Sequence, residues 1–341
     1  MRKLLNTLYV TRPEAYLHKE GETVAVDIEK KTVLRLPIHT IEGIVTFGNV
    51  MVSPYLFNLC AARGVCVSML SEHGRFLARV EGPVSGNVML RMAQMRAHES
   101  PAQKGELARN FVIGKISNCR TVLQRRLRDH GETPALKEVE ALHKDVLRRL
   151  RVSPPETVRI RGLEGEADAA YFGAFNDLLV SQREEFKITT RSRRPPLDPM
   201  NALLSFLYTL LAHECRGALE GVGLDPQIGF LHELRPGRPG LALDLMEEFR
   251  TVLADRVALS LVNLKQVSAR DFTTTDSGAV ILSDDARKTV LTVWQKRKQE
   301  IVRHPFLDEQ IPLGLLPHAQ ALLLARYLRG DLDAYPPFML K

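Results

Sequence analysis

Three separate segments of this 341-residue chain carry side chains that can bind a metal ion. In RGLEGEADAAYF, Glu164 lies between Gly162 and Gly165, where glycine lets the backbone turn and leaves a carboxylate uncrowded. The alternative role for Glu164 is to favour a helix N-terminus through the helix dipole. In GFLHELRPGRPG, His232 precedes a loop broken by proline and glycine. An imidazole can act as a metal ligand or general base, although a lone histidine is more often structural.

The third segment, LALDLMEEFR, carries a cluster of carboxylates. Asp244 and Glu247 are three residues apart, so on a helix they project from neighbouring positions of one face. Glu248 is expected on the same polar side. Carboxylates this close repel one another, and a divalent cation or a basic side chain would relieve the repulsion. The alternative is a solvated acidic helix face.

Taken together, these residues form a set of oxygen and nitrogen donors without a thiolate. Such a set suits Mn²⁺ or Mg²⁺ better than zinc. Basic residues near the three segments make a polyanion the expected substrate: Arg161, Arg193, Arg194, Arg235, Arg238 and Arg250. A metal ion in a site that attracts phosphodiesters indicates phosphoryl transfer on nucleic acid, with DNA backbone contacts from these arginines.

The N-terminal part of the chain has the pattern of a β-rich domain. Alternating apolar residues in EGETVAVDI and short extended runs such as GVCVSML predict strands, and SPYLFNLCAARG predicts one helix with Ser53 as its N-cap. The glycines and proline of EGPVSGN indicate a boundary. We therefore predict a small β-sandwich domain over residues 1–82, a linker over 83–90 and an all-α catalytic domain over 91–341, an α+β fold overall.

Helical periodicity dominates after the boundary. Helices are predicted for EVEALHKDVLRRLR, for the segment from Glu164 to Val180, and for LALDLMEEFRTVLADRVALSLVNL. NALLSFLYTLLAHE is apolar almost all round, which is typical of a buried central helix. Basic residues predominate between residues 88 and 131, which favours phosphate binding, with a solvated helix face as the alternative: Arg91, Arg96, Lys104, Arg109, Lys115, Arg120, Arg125, Arg126 and Arg128.

Composition limits the remaining possibilities. The formal net charge of +7 allows nucleic acid, anionic membranes or acidic proteins as partners. Four cysteines without a CxxC pair are typical of free thiols in a reducing compartment, so a cytoplasmic protein is expected. No apolar run approaches the roughly 20 residues that span a bilayer. The GxxxxGK[ST] phosphate loop does not occur, which disfavours a hydrolase of small phosphate esters.

Four ordered motifs carry a resemblance to a known family. GLEG…AAYF, DPMNALLSFLYTLL, GFLHE and LALDLMEEFR together resemble the CRISPR-associated spacer-acquisition endonuclease and integrase family, Cas protein one. The stretch HELRPGRPGLALDLMEEFR is similar to the subtype I-C branch. The resemblance implies metal ligands at Glu164, His232 and Glu247, with Asp244 supporting catalysis. It also implies that Asn201 caps the central helix and orients the site.

The resemblance further implies a metal-dependent DNA nuclease and integrase that inserts foreign DNA fragments into a CRISPR repeat array, using a 3′-hydroxyl as the nucleophile. Mn²⁺ or Mg²⁺ would be its cofactor. Its implied partners are a second copy of the chain through the β domain, a small ferredoxin-like protein (Cas protein two), double-stranded and branched DNA, and repeat DNA. The chief alternative is a non-catalytic DNA-binding scaffold in which the acidic cluster is structural.

Overall fold

The computed structural model describes residues 6–72, 76–80, 82 and 88–340, without the side chains of Asn6, Glu42 and Phe76. Contacts divide the chain into two compact units, Met1–Ser85 and Gly86–Lys341. Most of the predicted linker, residues 83–87, lies outside the described residues.

The N-terminal unit is a sandwich of two four-stranded sheets. Its elements are β1 (Asn6–Val10), β2 (Tyr16–Glu20), β3 (Thr23–Ile28), β4 (Lys31–Pro37), β5 (Ile41–Phe47), β6 (Met51–Val52), α1 (Pro54–Arg63), β7 (Cys66–Leu70) and β8 (Phe76–Val80). One sheet has the order β1-β5-β7-β8 and the other β4-β3-β2-β6. Residues of both sheets, such as Leu17 and Ile44, share one core with Leu56 of α1. The predicted β-sandwich is confirmed.

Helix α1 begins and ends as its sequence predicts. The Ser53 side chain accepts a hydrogen bond from the backbone N–H of Leu56, with Pro54 as the first helical residue. Gly64 ends the helix with a φ of 69°, a left-handed conformation that glycine adopts without steric cost.

The C-terminal unit is mostly helical. Its elements are α2 (Val88–Glu99), α3 (Pro101–His130), α4 (Pro134–Val152), α5 (Thr157–Gly173), α6 (Pro199–Gly221), α7 (Gly240–Glu247), a π-helical segment (Arg250–Asp255), α8 (Arg256–Asn263), β9 (Phe272–Thr274), β10 (Val280–Leu282), α9 (Asp284–Lys298), β11 (Ile301–Arg303), β12 (Gln310–Pro312) and α10 (Leu316–Leu328). Strands β9 with β10 and β11 with β12 form two small antiparallel sheets. The unit is thus not entirely α-helical, because two short hairpins interrupt its C-terminal third.

The bounds of two predicted helices were wrong. Helix α5 runs from Thr157 to Gly173 instead of from Glu164 to Val180, so Gly162 and Gly165 lie inside a helix and do not form a turn. The predicted long helix after Gly240 is divided by the π-helical segment, whose wider turn changes which side chains face the core.

The central helix α6 is buried as predicted, but its cap differs from the prediction. Asp198 is the N-cap and accepts from the backbone N–H of Asn201 at 2.7 Å. Asn201 is already inside the first turn, with its side chain fully buried.

All four cysteines are free, in agreement with the sequence prediction. No helix within the described residues is long and apolar enough to cross a membrane.

Candidate metal centre

Three carboxylates converge on one buried ammonium group in the C-terminal unit. Lys115 of α3 has only 3% of its side chain exposed. Its Nζ lies 2.8 Å from Asp168 Oδ1 and 3.0 Å from Glu247 Oε2. The same Nζ also contacts Glu164 Oε1. Two of the predicted ligands, Glu164 and Glu247, are therefore brought together.

The helices explain this convergence. Glu164 and Asp168 are four residues apart on α5, so they project from the same face, one turn from each other. Glu247 is the last residue of α7. Helix α3 packs against both α5 and α7, which places Lys115 between the two sources of negative charge.

The charges in this cluster stabilise one another. Burial alone would raise the pKa of Glu247, but Arg250, Lys115 and His232 outweigh burial and hold that pKa well below its usual range. Burial likewise opposes the charge on Lys115, yet Glu247 and the α5 carboxylates raise the pKa of the ammonium above its usual value. Burial is also outweighed at Asp168, where Lys115 and Arg250 lower the pKa. The geometry therefore favours the ionised forms of Glu247, Asp168 and Lys115.

Arg250, the first residue of the π-helical segment, forms the second cation of the cluster. Its Nη1 donates to Glu247 Oε2 at 2.8 Å, and its guanidinium lies 4.7 Å from the ring centre of Tyr208. Tyr208 in turn donates from its hydroxyl to Asp255 at 2.5 Å. A second hydroxyl, that of Tyr171, donates to the other oxygen of Asp255 at 3.0 Å. These contacts fix Arg250 between the acidic cluster and the ring of Tyr208.

His232 is oriented by a fully buried carboxylate. The Nδ1–H of His232 donates to Asp244 Oδ1 at 2.7 Å. The same carboxylate accepts from the backbone N–H groups of Phe230, Leu231 and His232. Metal-binding histidines usually have one ring nitrogen committed to such a partner, which leaves the other free to act as a ligand. Asp244 therefore supports the imidazole and does not share an exposed polar face with Glu247, which corrects the sequence prediction.

Gly229 makes room for this arrangement. A Cβ at residue 229 would lie 2.8 Å from Asp244 Oδ2 and 2.6 Å from the carbonyl carbon of Gly240. Both distances are too short for a real side chain, so the close approach of the loop to α7 requires glycine here.

The oxygen and nitrogen donors of the predicted ligand set fit a hard divalent metal, although the carboxylates contact the ammonium of Lys115 in this structure. Within the described ranges, no three His, Cys, Asp or Glu side chains are arranged as a ready metal site. The two glutamates nevertheless converge on one cation, and His232 has its Nδ1 committed to Asp244. Oxygen donors with one imidazole suit Mn²⁺ or Mg²⁺. Glu164, Glu247 and His232 thus remain the predicted ligand set.

Glu248 does not belong to this cluster. It is fully buried on the other side of the chain turn, where Tyr335 donates to Oε1 at 2.5 Å and the backbone N–H of Phe338 donates to Oε2 at 2.7 Å. Burial raises the pKa of Glu248 to about 8. The prediction that it shares a polar face with Glu247 was wrong, because the helix changes to a π-helical turn just beyond it.

Asn201 is connected to Tyr208 through Arg191. Its amide donates to the carbonyl oxygen of Thr190 at 2.9 Å, and its side-chain oxygen accepts from Arg191. The Arg191 guanidinium lies 5.5 Å from the ring centre of Tyr208. Asn201 therefore fixes the basic loop before α6, a role different from the predicted cap.

The arginines predicted to bind DNA divide into two groups. Arg250 is buried against Glu247, and Arg161 donates to the carbonyl oxygen of Leu231 at 2.7 Å and to Glu233. These two hold the site together. The others are exposed or half-buried in loops beside α6 and α7: Arg193, Arg194, Arg235 and Arg238.

Sequence reasoning missed several residues of the centre. Asp168 follows Glu164 by one helical turn, a spacing that could have identified it once the helix start was known. Lys115 was included in a basic stretch expected to face phosphate, and nothing in its local sequence distinguishes it from its exposed neighbours. Tyr208 and Asp255 carry no local signal of this kind, since their pairing joins α6 to the π-helical segment.

Comparisons with known proteins identify the family. The family model described as CRISPR associated protein Cas1 matches residues 8–296. A Rhodospirillum rubrum protein named CRISPR-associated endonuclease Cas1 2 is 53% identical over 347 residues, covering 100% of both chains. A solved casposase bound to integration product has a TM-score of 0.83 at 22% identity and covers 99% of this chain and 95% of that chain. A chain of a Cas6-RT-Cas1–Cas2 complex has a TM-score of 0.84 at 22% identity, covering 100% of this chain and 37% of that chain.

The two solved structures, each 22% identical, support the fold. The family model and the Rhodospirillum rubrum relative, which matches over the whole chain, show the family. The resemblance predicted from the four motifs is confirmed, whereas the subtype I-C branch stays a prediction. The chain belongs to the CRISPR-associated Cas1 family.

Proposed function

We propose that this chain is a metal-dependent DNA endonuclease and integrase of CRISPR adaptation, which inserts DNA fragments into a repeat array. The observation that carries the proposal is the convergence of Glu164 and Glu247 on one buried cation, together with a histidine whose ring is oriented by Asp244. Its full-length relative is named as an endonuclease, and a casposase with the same fold is bound to an integration product. Together these favour strand transfer and strand cleavage at one site.

Glu164, Glu247 and His232 would hold a divalent metal, Mn²⁺ or Mg²⁺. When bound, such an ion stabilises negative charge on a phosphate and favours deprotonation of an attacking hydroxyl. Asp244 keeps the imidazole in one orientation through the Nδ1 hydrogen bond, so the other ring nitrogen would be the one to bind the metal. The guanidinium of Arg250, held by Glu247 and Tyr208, keeps the Glu247 carboxylate ionised and in position.

In strand transfer, a 3′-hydroxyl of the incoming fragment attacks a phosphodiester of the repeat. One phosphodiester bond forms as another breaks, so no external energy source is required. Water as the nucleophile would give cleavage at the same site. The exposed arginines of the flanking loops, Arg193, Arg194 and Arg235, would contact backbone phosphates without reading sequence.

The proposed partners follow from the family. The Cas1–Cas2 complex among the neighbours supports a small Cas protein two as a partner, and DNA fragments and repeat DNA are the proposed substrates. A homodimer through the N-terminal unit is also proposed, because edge strand β4 exposes Val33 and Leu34. Sedimentation of a Val33→Glu variant, compared with the unaltered chain, would test that interface. Four free cysteines support a cytoplasmic location.

The proposed activity can be tested with Glu164→Gln. This change keeps the side-chain volume and removes the charge, so strand transfer of a duplex with free 3′-ends into a repeat-containing plasmid should fall by roughly 100-fold or more. Mn²⁺-dependent nicking should fall in parallel. Glu166→Gln is the matched control, because Glu166 lies two residues further along α5 and pairs only with exposed Arg149 in the described contacts.

The control variant should retain both activities. Strand transfer by Glu164→Gln at the wild-type rate would contradict the proposal. If the wild-type protein bound DNA but neither cut nor joined it with any divalent metal, the scaffold alternative would be supported instead.

A further inference from the structure

Lys115 is the least expected member of the acidic cluster. A buried ammonium is costly unless charged partners replace its water, and Lys115 is almost fully enclosed near the middle of α3. Its partners are Asp168 at 2.8 Å, Glu247 at 3.0 Å and Glu164. The lysine thus holds the same two glutamates that are proposed to bind metal.

The count of charges limits what can share this space. Three carboxylates face two cations, since Arg250 binds Glu247 at 2.8 Å and lies 3.7 Å from Asp168. A divalent ion on the oxygens of Glu164 and Glu247 would be within a few ångströms of the ammonium if Lys115 stayed in place. Like charges at that distance repel strongly in a buried pocket. The ammonium and a metal ion therefore compete for the two glutamates.

Asp168 differs from the two glutamates in one respect. It contacts the same ammonium but is not needed in the ligand set of Glu164, Glu247 and His232. It lies one turn beyond Glu164 on α5, so a lysine that left the glutamates could keep this third partner without crossing the pocket.

We propose that Lys115 is the resident counter-ion of the metal centre, exchanged by the metal at Glu164 and Glu247 and retained by Asp168. The inference rests on the proposed function, because it requires those glutamates to be metal ligands. Metal binding is then an exchange of cations in a preformed pocket. Lys115 keeps the metal-free pocket compact, and Asp168 sets how readily the lysine yields.

Calorimetric titration of Mn²⁺ into the metal-free, full-length protein tests the exchange. In Lys115→Met the metal no longer displaces an ammonium, so Mn²⁺ should bind at least about tenfold more tightly than to the wild type, because a nearby like charge has been removed. Lys137→Met is the matched control, because Lys137 is an exposed lysine of α4 that pairs with Glu132. Its affinity for Mn²⁺ should equal that of the wild type. Equal or weaker binding by Lys115→Met overturns the proposal.

A double-mutant cycle gives a second test, which remains informative if Lys115→Met alone does not fold. Asp168→Asn should weaken Mn²⁺ binding by about tenfold in the wild-type background, because the displaced lysine loses its partner. In Lys115→Met/Asp168→Asn, which removes one charge of each sign, that weakening should vanish. An equal loss in both backgrounds would make Asp168 a direct ligand and overturn the exchange.

Glu164→Gln separates the two proposals in the same titration. If Mn²⁺ binding requires Glu164 but is unaffected by Lys115→Met, the exchange is wrong and the proposed metal site stands. If Mn²⁺ binding does not depend on Glu164, the metal site itself is wrong and the exchange is overturned with it.

Discussion

Asp244→Asn tests whether the orientation of His232 depends on one buried carboxylate. Asp244 has no exposed surface and accepts four hydrogen bonds. Oδ2 receives the backbone N–H groups of Phe230 and Leu231 at 2.5 and 2.9 Å. Oδ1 receives the backbone N–H of His232 at 2.9 Å and its Nδ1–H at 2.7 Å. All four partners therefore act as donors toward this carboxylate.

An asparagine offers only one oxygen, so its NH₂ group must face donors on one side. Either orientation of the amide leaves at least one buried backbone N–H without an acceptor, and the charge that strengthens the remaining bonds is lost. Each such loss costs about 1–3 kcal/mol, which suggests a total of about 2–4 kcal/mol here. For a helical unit of this size, the expected fall in Tm is roughly 5–15 °C.

Differential scanning calorimetry of the metal-free protein measures this fall. Asp145→Asn is the matched control, because Asp145 is a half-exposed acid of α4 paired with Arg148 and Arg149, and its loss should leave the Tm close to that of the wild type. Binding of Mn²⁺ to Asp244→Asn should also weaken by about 10–100-fold, since the imidazole loses its fixed orientation. A Tm equal to that of the control variant would refute the role of Asp244 described here.

Two further changes test single features of the C-terminal unit. Gly162→Ala and Gly165→Ala place a Cβ in open space inside α5, so each should raise the free energy of unfolding, measured by urea titration, by about 0.5–1 kcal/mol. Gly105→Ala should lower it, because its Cβ would overlap the Pro155 carbonyl. Destabilisation by the two α5 changes would contradict the helical assignment. Burial raises the pKa of Glu248 from 4.5 to about 8, so the unfolded chain ionises first and wild-type stability should fall as pH rises through that range. Glu248→Gln should lack the loss of stability that ionisation of Glu248 causes. Identical slopes of Tm against pH in the two proteins would contradict the raised pKa of Glu248.

The elements most predictable from the sequence are those with strong local signals. Helix α1 has Ser53 before it, Pro54 at its start and Gly64 after it, and all three act as predicted. The apolar run of α6 likewise could only be a buried helix. The start of α5 was predicted incorrectly because two glycines were interpreted as a turn, whereas the packed helices around them tolerate glycine within the helix.

The residue types of the site were also predictable, but their directions were not. Helical spacing placed Asp244, Glu247 and Glu248 on one polar face, yet the three carboxylates are buried in three different sets of contacts. Spacing gives only relative positions around one helix. The donors that decide each direction come from the loop before α7, from α3 and from the C-terminal segment near Phe338, and no local pattern records these distant partners.

The sequence also did not show which basic side chains are available to bind phosphate. A net charge of +7 suggested a polyanionic substrate, and Lys115 and Arg250 were counted with the other basic residues. Both are buried against Glu247, so their charges neutralise the interior and add little to the field outside the protein. The case for DNA as substrate must therefore rest on the exposed arginines, such as Arg193 and Arg194, and on the family. A positive charge can attract phosphate only where carboxylates have not already bound it, and that distinction requires the folded chain.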